Sequence, residues 1–420
     1  MTAGFYIIMA AQFFSALADN ALLIAAIYLL RDMQAPATYE PLLKTFFTVS
    51  YVALAAFVGA FADSMPKWRV MFISNGIKIF GCALMFLDVH PLLAYSVVGL
   101  GAAAYSPAKY GILTEYLPHR LLVVANGWIE GLTVGAIILG VVLGGALIRP
   151  DVAGSLLAFD FPLIETGVDS VAEMALLVIG VLYLVAAMFN LYVPDTGVDH
   201  QPLKSNPIYL VHEVAHCVAL LWRDKLGQIS LAVTTLFWGA GATLQFIVLE
   251  WARAALGLNL SEASMLQGIV AVGVAAGAVM AAKWITLRKS LRVIPLGVAM
   301  GLMSVSMIFV RDFTIAVPLL VGIGILSGFF VVPMNALLQH RGHILMGAGH
   351  SIAVQNFNEN LSILIMTGIY ALLVKLQLSI YIVILLFGLF VAGTMVLVQR
   401  RHNANQRERD NVAQLDDSPH

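Results

Sequence analysis

The chain is 420 residues long; 60% of its residues are hydrophobic and only 11% are charged. Soluble domains carry about 25% charged residues, so this composition excludes a chain built from soluble domains alone. The formal net charge of -1 gives no reason to expect nucleic acid binding, and two cysteines form neither a disulfide framework nor a metal-binding pattern.

Apolar segments follow one another along the chain, each long enough to cross a bilayer as a helix. The first carries Gln12, Asp19 and Asn20, polar residues that are out of place in the apolar stretch of a cleaved signal peptide, so we expect it to remain as a membrane helix. Twelve spans are predicted, near residues 5–30, 43–62, 70–88, 92–115, 123–148, 171–193, 228–250, 264–285, 292–310, 315–338, 347–373 and 379–399.

A long polar connection over residues 194–227 separates the first six segments from the last six. It predicts two six-helix bundles, over residues 1–193 and 228–400, joined by a cytoplasmic linker. Part of the linker, near residues 208–222, has the pattern of a short amphipathic helix at the membrane surface. Residues 401–420 are polar and predict a disordered cytoplasmic tail.

The distribution of lysine and arginine predicts the orientation of the chain. If both termini are cytoplasmic, the inner loops and tail hold fifteen of these residues and the outer loops hold six. Because positively charged residues accumulate on the cytoplasmic side of membrane proteins, we expect both termini to be inside the cell.

Lys109 stands inside the fourth apolar segment, two residues after Pro107. A lysine near the bilayer centre costs about 2.5–3.5 kcal/mol, so it needs an anionic partner or a watery cavity. The other ionisable residues well inside apolar segments are Asp19, Glu130 and Glu359. We therefore expect these four side chains to meet in one central cavity, whereas Lys78, nearer the end of its segment, is expected to extend to the membrane interface.

Polar residues recur at helical spacing in three of the segments. Residues three and four apart share one face of a helix, so each set predicts a polar stripe on an otherwise apolar helix. Such a stripe either lines a polar pathway or joins helices through hydrogen bonds worth about 0.6–2 kcal/mol each. The stripes comprise Gln12, Ser15 and Asp19; Asn126, Glu130 and Thr133; and Gln355, Asn358 or Glu359, and Ser362.

The stretch Gly59-x-x-x-Asp63-x-x-x-Lys67-x-Arg69 follows the second segment. It resembles the loop motif of the major facilitator superfamily, in which a carboxylate and two cations latch two helices in one conformation. Pro107 and Pro333 occupy matching places in the two halves, a pattern typical of transporters built by repetition. The resemblance implies the superfamily's all-α fold, with twelve transmembrane helices in two six-helix bundles.

Further stretches in both halves look like the bacterial lysophospholipid transporter family. They are Phe14-Ser-Ala-Leu-Ala-Asp19-Asn20, Gly101-Ala-Ala-Ala-Tyr-Ser-Pro-Ala-Lys109, Phe237-Trp-Gly-Ala-Gly, Phe329-Phe-Val-Val-Pro333-x-Asn335-Ala-Leu-Leu-Gln339 and Ala353-Val-Gln355-Asn356-Phe-Asn358-Glu359-Asn360. The resemblance implies transport of lysophosphatidylethanolamine and lysophosphatidylglycerol from the outer to the inner leaflet of the bacterial inner membrane. There an acyltransferase–acyl carrier protein synthetase reacylates them, and no cofactor is implied.

A lysophospholipid has an anionic phosphate, a polar headgroup and one acyl chain, so its carrier needs a cation, polar partners and an apolar flank. Lys109 is the candidate for the phosphate, as a point charge; a structural ion pair with Asp19 or Glu359 is the alternative. The sequence departs from the family's pattern at Gln245, where an arginine is expected, and at His350, where an asparagine is expected. The other candidate substrate-binding residues are Asp19, Asn20, Glu130, Gln245, Gln355, Asn356 and Glu359.

No enzyme motif is present: the sequence has no Walker loop, no Gly-x-Ser-x-Gly elbow and no His-Glu-x-x-His pair. Two alternative functions remain open. One is a proton-coupled efflux carrier for amphipathic drugs, which would share the fold and the buried acids. The other is a membrane scaffold that docks an acyltransferase through its loops.

Overall fold

The computed structural model describes residues 2–36, 39–149, 152, 154, 170–200, 206–258 and 260–408, and within these residues the secondary structure is helical, without strands. Three short 3-10 helices, at His119–Leu121, Leu287–Val293 and Met307–Phe309, adjoin longer helices. The α-helices with bounds in the described residues are α1 Ala3–Asp32, α2 Tyr39–Ala53, α3 Ala55–Asp63, α4 Lys67–Phe86, α5 Pro91–Tyr116, α6 Leu122–Leu147, α7 Val171–Leu191, α8 Pro207–Arg223, α9 Gly227–Leu256, α10 Leu260–Trp284, α11 Ile294–Ser306, α12 Phe313–Met346, α13 Ala348–Lys375 and α14 Ile380–Glu408.

Ten of the described helical spans are long and apolar enough to cross a membrane, judged by length and composition. The helices α2 and α3 add an eleventh if they form one span, bent by 62° at Leu54. The remaining expected segment, the fourth, near residues 92–115, is covered by α5, which is 26 residues long but is not among the ten.

The helices group into two compact units whose boundary does not follow the linker alone. Unit 1 comprises residues 1–112 and 135–211, and unit 2 comprises residues 113–134 and 212–420. The end of α5 and the first half of α6 therefore belong with the second half of the chain. This grouping differs from the expected division into residues 1–193 and 228–400.

In unit 1, the core is built from α1, α4, α5 and α7, with the buried Tyr183 at its centre. The helix α7 begins with a capping box, in which the Ser170 hydroxyl accepts from the Glu173 amide and the Glu173 carboxylate accepts from the Ser170 amide. These bonds satisfy amide groups that the first turn of a helix otherwise leaves unpaired.

In unit 2, α10 and α12 pack with their backbones in direct contact. A Cβ atom at Gly277 would overlap the carbonyl of Ile325, and one at Gly328 would overlap the carbonyl of Val274. Small residues allow such close approach in membrane helices, where packing and not the hydrophobic effect drives association. The same unit buries Trp251, whose indole Nε1 donates to the Met307 carbonyl oxygen at 2.9 Å.

The predicted linker helix is present as α8, Pro207–Arg223, while residues 201–205 of the linker lie outside the described residues. Residues 401–408, predicted to be disordered, instead continue α14. Two contacts explain this: the Asn405 side chain donates to the Lys225 carbonyl oxygen at 3.2 Å, and Lys225 pairs with Glu408 at 2.6 Å. The rest of the expected tail, residues 409–420, lies outside the described part of the chain.

Candidate functional site

In unit 1, Asp19 on α1 lies at the centre of a buried polar network. One of its carboxylate oxygens, Oδ2, is 2.7 Å from the ammonium of Lys78 on α4. The other, Oδ1, accepts a hydrogen bond from the hydroxyl of Tyr183 on α7 at 2.8 Å. The Lys78 side chain is 2% exposed and that of Asp19 19% exposed, so most of this ion pair is removed from solvent.

The network extends through the polar stripe of α1. The Lys78 ammonium also donates to the Ser15 hydroxyl at 3.0 Å, and that hydroxyl donates to Asn75 Oδ1 at 2.9 Å. The ring of Tyr105 on α5 lies 4.9 Å from the ammonium, a distance suited to a cation–π contact. These polar groups and the Tyr105 ring together stabilise the charge of Lys78 in an apolar bundle.

The prediction that Lys78 extends to the membrane interface is therefore wrong. Lys78 is 1% exposed and is the cation that neutralises Asp19. The alternative of an Asp19–Lys109 pair is also not what the structure shows, because both oxygens of Asp19 are engaged by Lys78 and Tyr183. Lys78 and Lys109 both lie well inside apolar segments, and the packing of the helices brings Lys78 to the acid.

Lys109 is half-buried on α5, where its ammonium lies 4.8 Å from the centroid of the Tyr110 ring. Asn20, next to Asp19, is also half-buried, but its amide donates to the Ala16 carbonyl oxygen of its own helix at 2.8 Å. That bond lets a polar side chain lie in an apolar helix without a partner on another helix.

In unit 2, two acids of the predicted set lie in one buried cluster. Glu130 on α6 accepts from Asn335 on α12 at 3.5 Å, and Asn335 accepts from Gln355 on α13 at 3.1 Å. The Gln355 amide also donates to Glu359 at 2.8 Å. Glu130 and Glu359 are 5% and 6% exposed, and they are close enough to interact electrostatically.

One helical turn before Glu130, the amides of Asn126 and Gln339 form a reciprocal pair. Asn126 Nδ2 donates to Gln339 Oε1 at 2.8 Å, and Gln339 Nε2 donates to Asn126 Oδ1 at 3.0 Å. Both residues are buried. Next to them, Gly127 lies so close to α10 that a Cβ would meet the Ala282 side chain at 2.6 Å. These contacts hold the first half of α6 against α10 and α12 within unit 2.

The remaining predicted residues of unit 2 differ in burial. Asn356 is buried on α13, 8% exposed. Gln245 on α9 is exposed, and its backbone carbonyl accepts a hydrogen bond from the Gln267 side chain at 2.9 Å. Because the acids divide between the two units, the single cavity expected for Asp19, Lys109, Glu130 and Glu359 stays a prediction.

The three residues of the predicted latch, Asp63, Lys67 and Arg69, lie at the end of α3 and the start of α4. The Lys67 ammonium, 3% exposed, lies 2.9 Å from Asp63 Oδ1 and donates to the Ala62 carbonyl oxygen at 2.7 Å. Arg69 is exposed and its guanidinium lies 5.1 Å from the centroid of the neighbouring Trp68 ring. Lys67 thus ties the start of α4 to the end of α3.

Four residues that the sequence analysis did not assign to the site have central places in it: Lys78, Tyr183, Asn335 and Gln339. Asn335 and Gln339 are four residues apart in an apolar segment, so the rule that identified the other polar stripes could have found them. The burial cost applied to Lys109 could likewise have identified Lys78. A single tyrosine in an apolar helix offers no comparable signal.

Comparisons with known proteins agree with this architecture. Residues 8–367 match the sequence pattern of the Major Facilitator Superfamily. The chain is 40% identical over 377 residues to the lysophospholipid transporter LplT of Yersinia enterocolitica, which covers 90% of this chain and 88% of that protein. It is 41% identical over 370 residues to the LplT of Yersinia pestis strain Pestoides F, covering 88% of this chain and 86% of the relative.

Solved structures with much lower sequence identity share the fold. The human organic anion transporter MFSD10 superposes with a TM-score of 0.71 at 12% identity, covering 96% of this chain and all of that one. A bacterial homologue of the iron transporter ferroportin, in an outward-facing state, gives 0.70 at 13% identity, covering 97% and 100%. These structures therefore share the fold of this chain.

Proposed function

Because the chain belongs to the Major Facilitator Superfamily and, within it, to the bacterial lysophospholipid transporter family, we propose that it carries lysophospholipids across a bilayer. The substrates are lysophosphatidylethanolamine and lysophosphatidylglycerol, moved from the outer to the inner leaflet. The observation that carries this proposal is about 40% identity, over about nine-tenths of the chain, to relatives named as lysophospholipid transporters.

The buried polar groups supply the chemistry that such a headgroup needs. A phosphate leaving water requires a cation, and Lys109 is a half-buried lysine on a helix that contains Pro107. The carboxylates of Asp19, Glu130 and Glu359 are partners for the ammonium of an ethanolamine headgroup or the hydroxyls of a glycerol headgroup. Asn20, Gln245, Gln355 and Asn356 are proposed to add hydrogen bonds to the same headgroup.

We also propose a topology for the chain in the membrane, with twelve spans. The helix α5 completes twelve spans, and α2 with α3 counts as one of them. Both termini are cytoplasmic, supported by the excess of lysine and arginine in the loops on that side. The membrane is the inner membrane of a bacterium, where an acyltransferase–acyl carrier protein synthetase on the cytoplasmic side would reacylate the product.

The direct test is uptake of radiolabelled lysophosphatidylethanolamine into spheroplasts that lack their own lysophospholipid transporter. We expect cells that express this chain to accumulate the label, and cells that express Lys109→Ala to do so at least about tenfold more slowly, because one charged hydrogen bond to the phosphate is lost. Exposed Lys375→Ala, at the end of α13, is the matched control and should transport normally.

Membrane insertion of each variant is checked by its abundance in the membrane fraction. If the wild-type chain gives no uptake but lowers the accumulation of cationic dyes in whole cells, the chain is a drug efflux carrier. If Lys109→Ala transports at the wild-type rate, Lys109 is not the phosphate-binding residue.

A further inference from the structure

A cavity of about 620 Å³ lies at one end of unit 2, away from the buried acids. One wall is the 3-10 helix Leu287–Val293, which leads into α11, and the other is the last part of α14. The side chains that matter most for its chemistry are Arg288, Lys289 and Arg292 on the first wall and Gln399, His402 and Asn403 on the second.

The charged residues that line this cavity are all positive. Three cations line it and no carboxylate is among the residues of its walls. Two other cations of unit 2 have acidic partners: Lys225 lies 2.6 Å from Glu408, and Arg341 lies 2.7 Å from Asp224. Lys289 and Arg292, in contrast, form no ion pair with any residue that the structure describes. Three neighbouring positive charges repel one another, and a bound anion would remove that cost.

The wall formed by α14 also holds unused hydrogen-bonding capacity. Gln399 donates through its amide nitrogen to Asn403 at 3.0 Å, but its carbonyl oxygen has no partner within the described residues. The same holds for Nδ1 of His402. The cavity therefore combines cations for an anion with an acceptor and an imidazole for hydroxyl groups beside it.

An apolar track on α14 leads to this polar end. The apolar side chains of Leu389 and Val396 are 52% and 36% exposed on this helix. They lie seven residues apart, and Asn403 follows after another seven, so all three share one helix face. A ligand with an anionic head at the cavity and hydrocarbon along Leu389 and Val396 fits this arrangement.

We propose that this cavity binds the headgroup of an anionic glycerophospholipid from the surrounding leaflet. The lipid phosphate interacts with Arg288, Lys289 and Arg292, and a headgroup hydroxyl donates to Gln399. The acyl chains lie on the exposed apolar face of α14. Basic pockets at the cytoplasmic ends of membrane helices bind such headgroups through the same chemistry. The site differs in position and residues from the proposed transport site.

The test uses the full-length protein in detergent, with bound phosphatidylglycerol measured by native mass spectrometry. The triple variant Arg288→Gln/Lys289→Gln/Arg292→Gln should bind phosphatidylglycerol at least about tenfold more weakly than the wild type. The control Arg253→Gln/Arg311→Gln/Lys375→Gln removes the same charge from other exposed positions and should bind as the wild type does. Helix content by circular dichroism confirms that both variants are folded.

Two further arms identify the source of the phosphate. Zwitterionic phosphatidylcholine should bind equally weakly to wild type and triple variant, and millimolar inorganic phosphate should not displace phosphatidylglycerol. Equal retention of phosphatidylglycerol by the wild type and the triple variant would overturn the proposal. Displacement by inorganic phosphate would overturn the lipid as the ligand and assign the cavity to a free anion.

Discussion

Lys78 and Asp19 lie 2.7 Å apart on two different helices of unit 1, and the lysine side chain is almost completely buried. Tyr183 completes the contact by donating to the other carboxylate oxygen of Asp19. The acid proposed to meet the substrate headgroup is thus already neutralised by a residue of its own unit. A headgroup ammonium or hydroxyl would have to share or displace this partner.

The first prediction concerns this ion pair. Lys78→Met leaves the Asp19 carboxylate buried without its cation, so we expect a loss of about 3–5 kcal/mol in stability. Asp19→Asn/Lys78→Met removes both charges and should recover much of that loss, while lysophosphatidylethanolamine uptake stays low because the proposed headgroup contact is missing. Thermal unfolding in detergent and the uptake assay measure the two effects. Exposed Lys375→Met is the control, and a Lys78→Met protein as stable as wild type would contradict a stabilising pair.

The second prediction concerns the reciprocal amides of Asn126 and Gln339. Gln339→Ala leaves Asn126 Oδ1 buried without its donor, although Asn126 Nδ2 keeps its bond to the Leu122 carbonyl oxygen, and Asn126→Ala removes both bonds of the pair from the Gln339 amide. Each substitution should cost about 1–3 kcal/mol. The double variant should cost less than the sum, with a coupling of about 0.5–3 kcal/mol in a double-mutant cycle. The partly exposed amide pair Gln399 and Asn403 serves as the comparison and should show weak coupling. If the stability losses of the two single variants add up to that of the double variant, Asn126 and Gln339 do not stabilise each other.

The third prediction tests whether transport needs the negative charge of Glu359 or only the size of its side chain. Glu359→Gln keeps the size of the side chain and an oxygen that can accept from Gln355, but removes the negative charge. Because a hydrogen bond to a charged group is worth about 1.5–3 kcal/mol, uptake of lysophosphatidylethanolamine should fall by about tenfold or more. Asn358→Ala, next to it on α13, removes an amide that donates to the carbonyl of Val354 in its own helix and should transport nearly normally. Normal uptake by Glu359→Gln would remove Glu359 from the headgroup site.

The fourth prediction tests the backbone contact between α10 and α12. Gly277→Ala places a Cβ atom against the Ile325 carbonyl, so we expect a loss of about 1–3 kcal/mol in stability. Gly268→Ala, on the same helix, meets nothing within 4 Å and should be neutral or stabilising by up to about 1 kcal/mol. Thermal unfolding of the two purified variants makes the comparison. Equal behaviour would show that the close approach is not required.

The fifth prediction addresses Asp63 and its partner Lys67. Asp63→Asn is nearly isosteric and leaves the Lys67 bond to the Ala62 carbonyl in place, but it removes the ion pair. We expect the maximal uptake rate to fall while the half-saturating lysophospholipid concentration changes by less than about twofold, because a latch acts on a conformational step and not on binding. Exposed Asp195→Asn is the control. A change confined to the half-saturating concentration would argue against a latch.

Several expectations from the sequence are confirmed by the structure and the comparisons. The helical architecture, the superfamily and the linker helix follow from patterns that are local in the chain: apolar length, polar interruptions and charged loop motifs. The burial of Glu130, Gln355 and Glu359 also follows, since a polar stripe on an apolar helix must face other helices or a cavity. The role of Lys78 and the helical end of α14 were missed, because each depends on a partner far away in sequence.

The amino-acid sequence alone indicates which segments are helices that can lie in a membrane and which side chains are too polar to face lipid, because both properties depend on neighbouring residues along one helix. The pairing of Asp19 with Lys78, and the packing of the first half of α6 with the second half of the chain, become visible only in the folded molecule. Those choices depend on how helices pack side by side. Several cations and amides in the chain could have satisfied the same polar group, and the packing geometry selects one of them.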